Sequence, residues 1–159
     1  MLRQTLRLIG TLLGLQFVLG GVAFFLADYR WIAAVVGLAF LVLVAVTGWS
    51  FAGEVDQSRW RTTLMVLLAG LIWQLPGLQG TFRYLSDTAG WTAYDGITDL
   101  QDFLMESWHT VALPLLSAIP PGVVGGYYAR YYIALVWLSP CLIIVLIAAA
   151  LLRPLRSAR

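Results

Sequence analysis

The sequence predicts an all-α integral membrane protein, with four transmembrane helices in a bundle and an extracytoplasmic amphipathic helix between the third and the fourth. Three observations carry that expectation. Four apolar runs reach membrane-spanning length, the arginines gather at one set of run ends, and a single long polar stretch, residues 81–130, interrupts the pattern. With 60% hydrophobic and 11% charged residues and a mean hydropathy of +0.83, the chain lies far from the composition of soluble domains. Its 159 residues make one membrane domain, because 81–130 is the longest stretch outside the apolar runs.

The runs are 8–27, 31–53, 62–79 and 131–152, each free of ionisable side chains within. A hydrocarbon core of about 30 Å needs roughly 20 apolar residues of helix, and in lipid only a helix satisfies its own backbone polar groups. Asp28-Tyr29-Arg30 makes a tight turn between the first two runs. Arg3 and Arg7 before an apolar run, with Gly21-Val22-Ala23 beyond, resemble a signal peptide, but Phe24-Phe25-Leu26 carries the apolar run past that point, so a retained helix is expected.

Orientation follows from the arginines. Arg3, Arg7, Arg59, Arg61, Arg153, Arg156 and Arg159 fall on one side, against Arg30, Arg83 and Arg130 on the other. Arginine-rich loops stay in the cytoplasm, which predicts a multi-pass plasma-membrane protein with both termini inside and 81–130 outside. The basic residues are all arginine, which reads as genome composition rather than chemistry. Trp31, Trp49 and Trp60 at run ends, and Tyr127, Tyr128, Tyr131 and Tyr132 around Arg130, suit membrane interfaces.

Within the runs, Gly10 and Gly14, with Gly20 and Gly21 above them, form a smooth face expected to pack against a neighbouring helix of the same chain. Gln16, Thr47 and Ser139 are candidates for hydrogen bonds between helices, and Ser139-Pro140 should kink the last one. Gln74, Pro76 and Gln79 lie in the segment Trp73-Gln74-Leu75-Pro76-Gly77-Leu78-Gln79-Gly80, which weakens helix. Such an interruption is expected to be a frayed exit into the outer headgroup layer; its alternative is a pathway or binding break of the kind carriers use. Cys141 is the lone cysteine, which excludes internal disulfides and cysteine-rich metal sites and reads as a small buried apolar side chain.

The outer segment holds Asp87, Asp95, Asp99, Asp102 and Glu106 against Arg83 and Arg130, together with the single histidine, His109. Asp95, Asp99, Asp102, Glu106 and His109 recur at spacings of 4, 3, 4 and 3, which places them on one face of a helix running from Asp95 to about Leu113, with Ile97, Leu100, Leu104, Trp108 and Val111 opposite. Pro114 should end that helix, and the short apolar stretch after it is interfacial, re-entrant or packed on the bundle. The acidic stripe reads first as a solvated face and as an interaction face through Asp95, Asp99, Asp102 and Glu106. The sharper alternative is a metal site at Asp102, Glu106 and His109, since residues at i and i+3 project side by side, but the facing helices offer no second histidine.

Function is much less legible than class. No catalytic set can be assigned: Ser107 and Ser117 lie near His109 in sequence, yet nothing positions either as a nucleophile. One histidine cannot ligate a membrane haem from both sides, so no cofactor is expected, and without a basic patch no nucleic-acid partner is expected either. The expected partners are the lipid bilayer and another membrane protein or a second copy. The leading expectation is a non-enzymatic accessory or assembly subunit acting through its outer cap. A small oligomeric carrier or channel, and a metal-dependent enzyme at the outer face, are the alternatives.

Overall fold

Residues 2–26, 28–55, 58–88, 107–112, 114–115, 123–124, 127–128 and 134–153 are described by the computed structural model of the chain. Apart from turns and one two-residue antiparallel pair, β1 (Val123–Val124) with β2 (Tyr127–Tyr128), the described residues are helical. The helices are α1 (Leu2–Phe25), α2 (Arg30–Glu54), α3 (Arg59–Trp73), α4 (Leu75–Thr88) and α5 (Ser139–Leu152). A π-helical turn, Ala134–Leu138, leads directly into α5.

Two helices, Leu2–Phe25 and Trp31–Glu54, are long and apolar enough to cross a membrane. Each is 24 residues, or about 36 Å at 1.5 Å per residue, which exceeds the hydrocarbon thickness. Their outer surfaces carry Phe17, Val18, Val35, Leu38 and Val42, all more than half exposed. Contiguous apolar surface of this kind suits lipid rather than water, which supports membrane association.

The helices close a ring of packing: α1 on α2, α2 on α5, α5 on α3 and α3 on α1. Leu12, Phe40, Val44, Val66, Ala69, Trp73, Leu142 and Leu146 fill its interior. At one end, Arg7 pairs with Glu54 at 3.0 Å, and Arg153 donates to the Trp49 carbonyl at 2.7 Å while lying over the Trp49 ring. The start of α1 and the ends of α2 and α5 therefore meet at an arginine-bearing end.

Several expectations change here. Helix α1 begins at Leu2, so Arg3 and Arg7 lie within it; arginine is a good helix former and its stem lies along apolar surface. Gly10, Gly14, Gly20 and Gly21 face open space among the described residues, with none of them within 4 Å of a Cβ built on any of these glycines. They do not pack on a neighbouring helix because α1 turns Leu8, Ile9, Leu12, Gln16 and Ala23 inward instead. Cys141 is exposed rather than buried, since Leu142, Ile143, Leu146 and Ala150 take the inner face of α5. Thr47 donates to Leu43 of its own helix at 2.7 Å rather than to another helix.

The third run does not fray. Gln74 interrupts it for one residue, and α4 then carries the helix on to Thr88. Gln74 N–H still donates to Gly70 at 2.9 Å, and Leu78 N–H to the Gln74 carbonyl at 2.8 Å, so the backbone bridges the break although Pro76 has no N–H to give. Of the predicted outer helix, residues 107–109 are helical and 110–112 are a turn, and 114–115 form part of a tight 3₁₀ turn. The helix ends before Pro114 because the bonds shorten to i→i+3, Ala112 N–H to His109 and Leu115 N–H to Ala112. Asp95, Asp99, Asp102 and Glu106 lie outside the described residues.

Candidate functional site

His109 is not on a solvated stripe. It is 1% exposed, and the six-residue segment 107–112 that carries it is wedged among the helices. The segment meets α1, α2, α5 and the α3–α4 break. From α1, the Gln16 side-chain amide donates to the Trp108 carbonyl, and the Phe17 ring meets the Trp108 ring edge-on at 5.9 Å. On α2, a Cβ at Gly37 would stand 2.8 Å from the Val111 carbonyl oxygen and 2.9 Å from Leu115 Cγ. Only glycine lets the segment approach so closely there.

The break between α3 and α4 supplies Gln74, fully buried, and α5 supplies Ser139, 1% exposed. Ser139 Oγ lies 2.8 Å from Gln74 Oε1 and 2.9 Å from His109 Nε2, and the Trp108 indole nitrogen lies 3.3 Å from the same Gln74 oxygen. Gly77, one turn into α4, faces the pair: a Cβ there would come within 2.8 Å of His109 Nε2 and overlap Ser139 Oγ. Gly77 is thus the second seat that a side chain would close.

An indole nitrogen only donates, so the Gln74 atom it faces is the carbonyl oxygen. That oxygen only accepts, so Ser139 must spend its single proton on it. Ser139 can then only accept from His109, which fixes a proton on Nε2. The chain therefore runs from His109 Nε2–H to Ser139 O–H to Gln74 Oε1, with Trp108 N–H joining from the other side. A serine nucleophile needs the opposite polarity, with its proton aimed at an unprotonated imidazole nitrogen. This arrangement suits a structural latch and not an activated serine.

The cost of the arrangement is visible nearby. Among the described residues, Gln74 Nε2, Gln16 Oε1 and Trp73 Nε1 are buried without a hydrogen-bond partner. Each such group typically costs about 1–3 kcal/mol. Both helices that bear latch residues are also irregular at them. Gln74 stands two residues before Pro76, and Ser139 sits between a π turn and Pro140. In a regular helix the carbonyl of Val136 would receive the N–H of residue 140, which proline lacks; Thr81 Oγ1 on α4 donates to that carbonyl at 3.0 Å instead.

Of the residues singled out from sequence, the structure brings Gln74, His109, Ser139 and Gln16 together. Pro76 and Gln79 are half-buried in α4. Among the described residues no group of three His, Cys, Asp or Glu could hold a metal, and Asp102 and Glu106 fall outside them. Trp108 and Gly77 were not anticipated as site residues. The signals that could have found them are the tryptophan next to the only histidine, and a glycine directly after Pro76 in an otherwise apolar run. No protein-family model, curated protein or solved structure matches this chain.

Proposed function

We propose that the chain is a multi-pass plasma-membrane protein, a four-helix bundle with both termini in the cytoplasm, that serves as a non-enzymatic accessory or assembly subunit of a membrane complex. The observation that carries this reading is the polarity of the latch. Its polar groups are spent on clamping residues 107–112 to α5 and to the α3–α4 break, which is the work of a scaffold. The arginine distribution supports the orientation. So does the meeting of Arg7, Glu54 and Arg153 at one end.

Depth supports the membrane reading of the network. Gln74 lies 15 residues beyond Arg59 and Ser139 lies 14 before Arg153, or about 22 Å and 21 Å along their helices. Measured from the arginine end, both fall inside a slab of about 30 Å, where polar side chains find partners on neighbouring helices rather than in water. The lipid bilayer and a second membrane protein are the partners this reading requires, reached through the outer segment 81–130.

A second reading, a small oligomeric carrier or channel for a cation or small solute, is favoured by one observation: two interrupted helices meet at a buried histidine. Two measurements separate the readings. Purification in mild detergent from native membranes should return the chain with one membrane protein in fixed stoichiometry. Flux into proteoliposomes that is abolished by Gln74→Leu would reject the accessory-subunit reading.

A further inference from the structure

We propose that residues 107–112 are a displaceable plug, released by breaking the Gln74–Ser139–His109 latch, and that release uncovers a polar surface formed by Gln16, Gln74 and Ser139 between the helices. Three independent observations converge on it. Among the described residues, the plug meets the helices through side-chain bonds and through close contact at Gly37 and Gly77. An element held in this way can leave without unwinding its neighbours.

The second observation is energetic. With the plug seated, Gln74 Nε2 and Gln16 Oε1 are buried without a hydrogen-bond partner among the described residues. Gln74 does not relieve its amide by turning, because that would aim an N–H group at the Trp108 indole N–H, which only donates. The seated state is therefore not the fully satisfied one. Withdrawal of the plug would give the Gln16 and Gln74 amides access to water or to a polar solute, which offsets the lost latch bonds.

The third is mechanical. Each latch residue sits at a weak point of its own helix, Gln74 at the α3–α4 break and Ser139 at the junction of the π turn with Pro140. Prolines and π turns are where helices bend. The helices can thus part at the latch while the apolar end, around Leu12, Val66 and Leu146, stays packed. The plug does not depend on whether a partner protein binds, so it stands apart from the accessory-subunit reading.

The test is thiol labelling by N-ethylmaleimide in proteoliposomes, in a Cys141→Ser background that removes the exposed native thiol. Val111→Cys reports the plug and Leu12→Cys the apolar end; both parent residues are 0% exposed. With the latch intact, Val111→Cys should label at least about tenfold faster than Leu12→Cys, as local opening outruns global unfolding. Adding Ser139→Ala should raise the Val111→Cys rate about tenfold, whereas adding Leu146→Ala, which weakens apolar packing that the seated and released states share, should speed Leu12→Cys and leave Val111→Cys unchanged. Equal rates at the two positions in the intact protein would overturn the proposal. So would a parallel rise at both in Leu146→Ala, which would make the latch an ordinary part of one cooperative unit.

Discussion

The two ends of the helix array are built on different principles. Around Leu12, Val44, Val66 and Leu146 the interior is apolar and the helices are regular. Around Gln74, His109 and Ser139 it is polar, and both helical irregularities beside the histidine occur there. A helix running through lipid keeps its ladder unless something else satisfies the freed groups. At the polar end that something is explicit: Thr81 takes the carbonyl stranded by Pro140, and the plug takes the Gln74 oxygen. The difference teaches that the polar residues and the helix breaks are one feature, since each makes the other tolerable.

Glycine tells the same story by contrast. At Gly37 and Gly77 a Cβ would run into the plug, whereas at Gly10, Gly14, Gly20 and Gly21 it would meet none of the described residues. The largest effect is therefore expected from Gly77→Val, which fills the seat of His109 and Ser139. It should cost about 3 kcal/mol or abolish folding, read as thermal unfolding of the purified protein in detergent. A variant as stable as the parent would mean that the plug can sit elsewhere.

Ser139→Ala comes next. It removes the middle of the chain and strands the His109 Nε2–H, for an expected loss of about 1–3 kcal/mol in the same assay. Thr81→Val should cost less, about 0.5–1.5 kcal/mol, because it forfeits one part-buried bond to the Val136 carbonyl. If Thr81→Val instead proved as damaging as Ser139→Ala, the π turn and not the latch would organise this end.

The smallest effect is expected at Gly14→Ala. With nothing within 4 Å of the added methyl, stability should stay within about 0.5 kcal/mol or rise through better helix propensity. A marked loss would show that the outer face of α1 is covered in the folded protein, and the contrast between the two sets of glycines would fall.

Much of the helical layout was legible in the sequence. Apolar run length located α1, α2 and the body of α3, and Asp28-Tyr29 was read as the turn between the first two, where Tyr29 N–H donates to Leu26 at 2.8 Å. Gln16 and Ser139 were legible as bonding residues because polar groups deep in an apolar run need partners. The sequence placed the break at Gln74 but not its meaning, since a frayed end and a buried junction share the same Pro and Gly residues. His109 was misplaced for a related reason. Its spacing from Asp102 and Glu106 fits a helix face, but periodicity says which residues share a face and not whether that face meets water or another helix.

By itself, then, the sequence determined what depends on neighbours in the chain: helical segments, their apolar character, and the side on which arginine accumulates. Only the tertiary structure decided that Trp108, His109, Gln74 and Ser139 form one network, since those pairs are separated by 30 to 65 residues. It alone also decided which glycines are seats and which are bare surface. The physical reason is that hydrogen-bond direction and close approach are properties of pairs brought together in space, whereas helix formation and hydropathy are properties of the local chain.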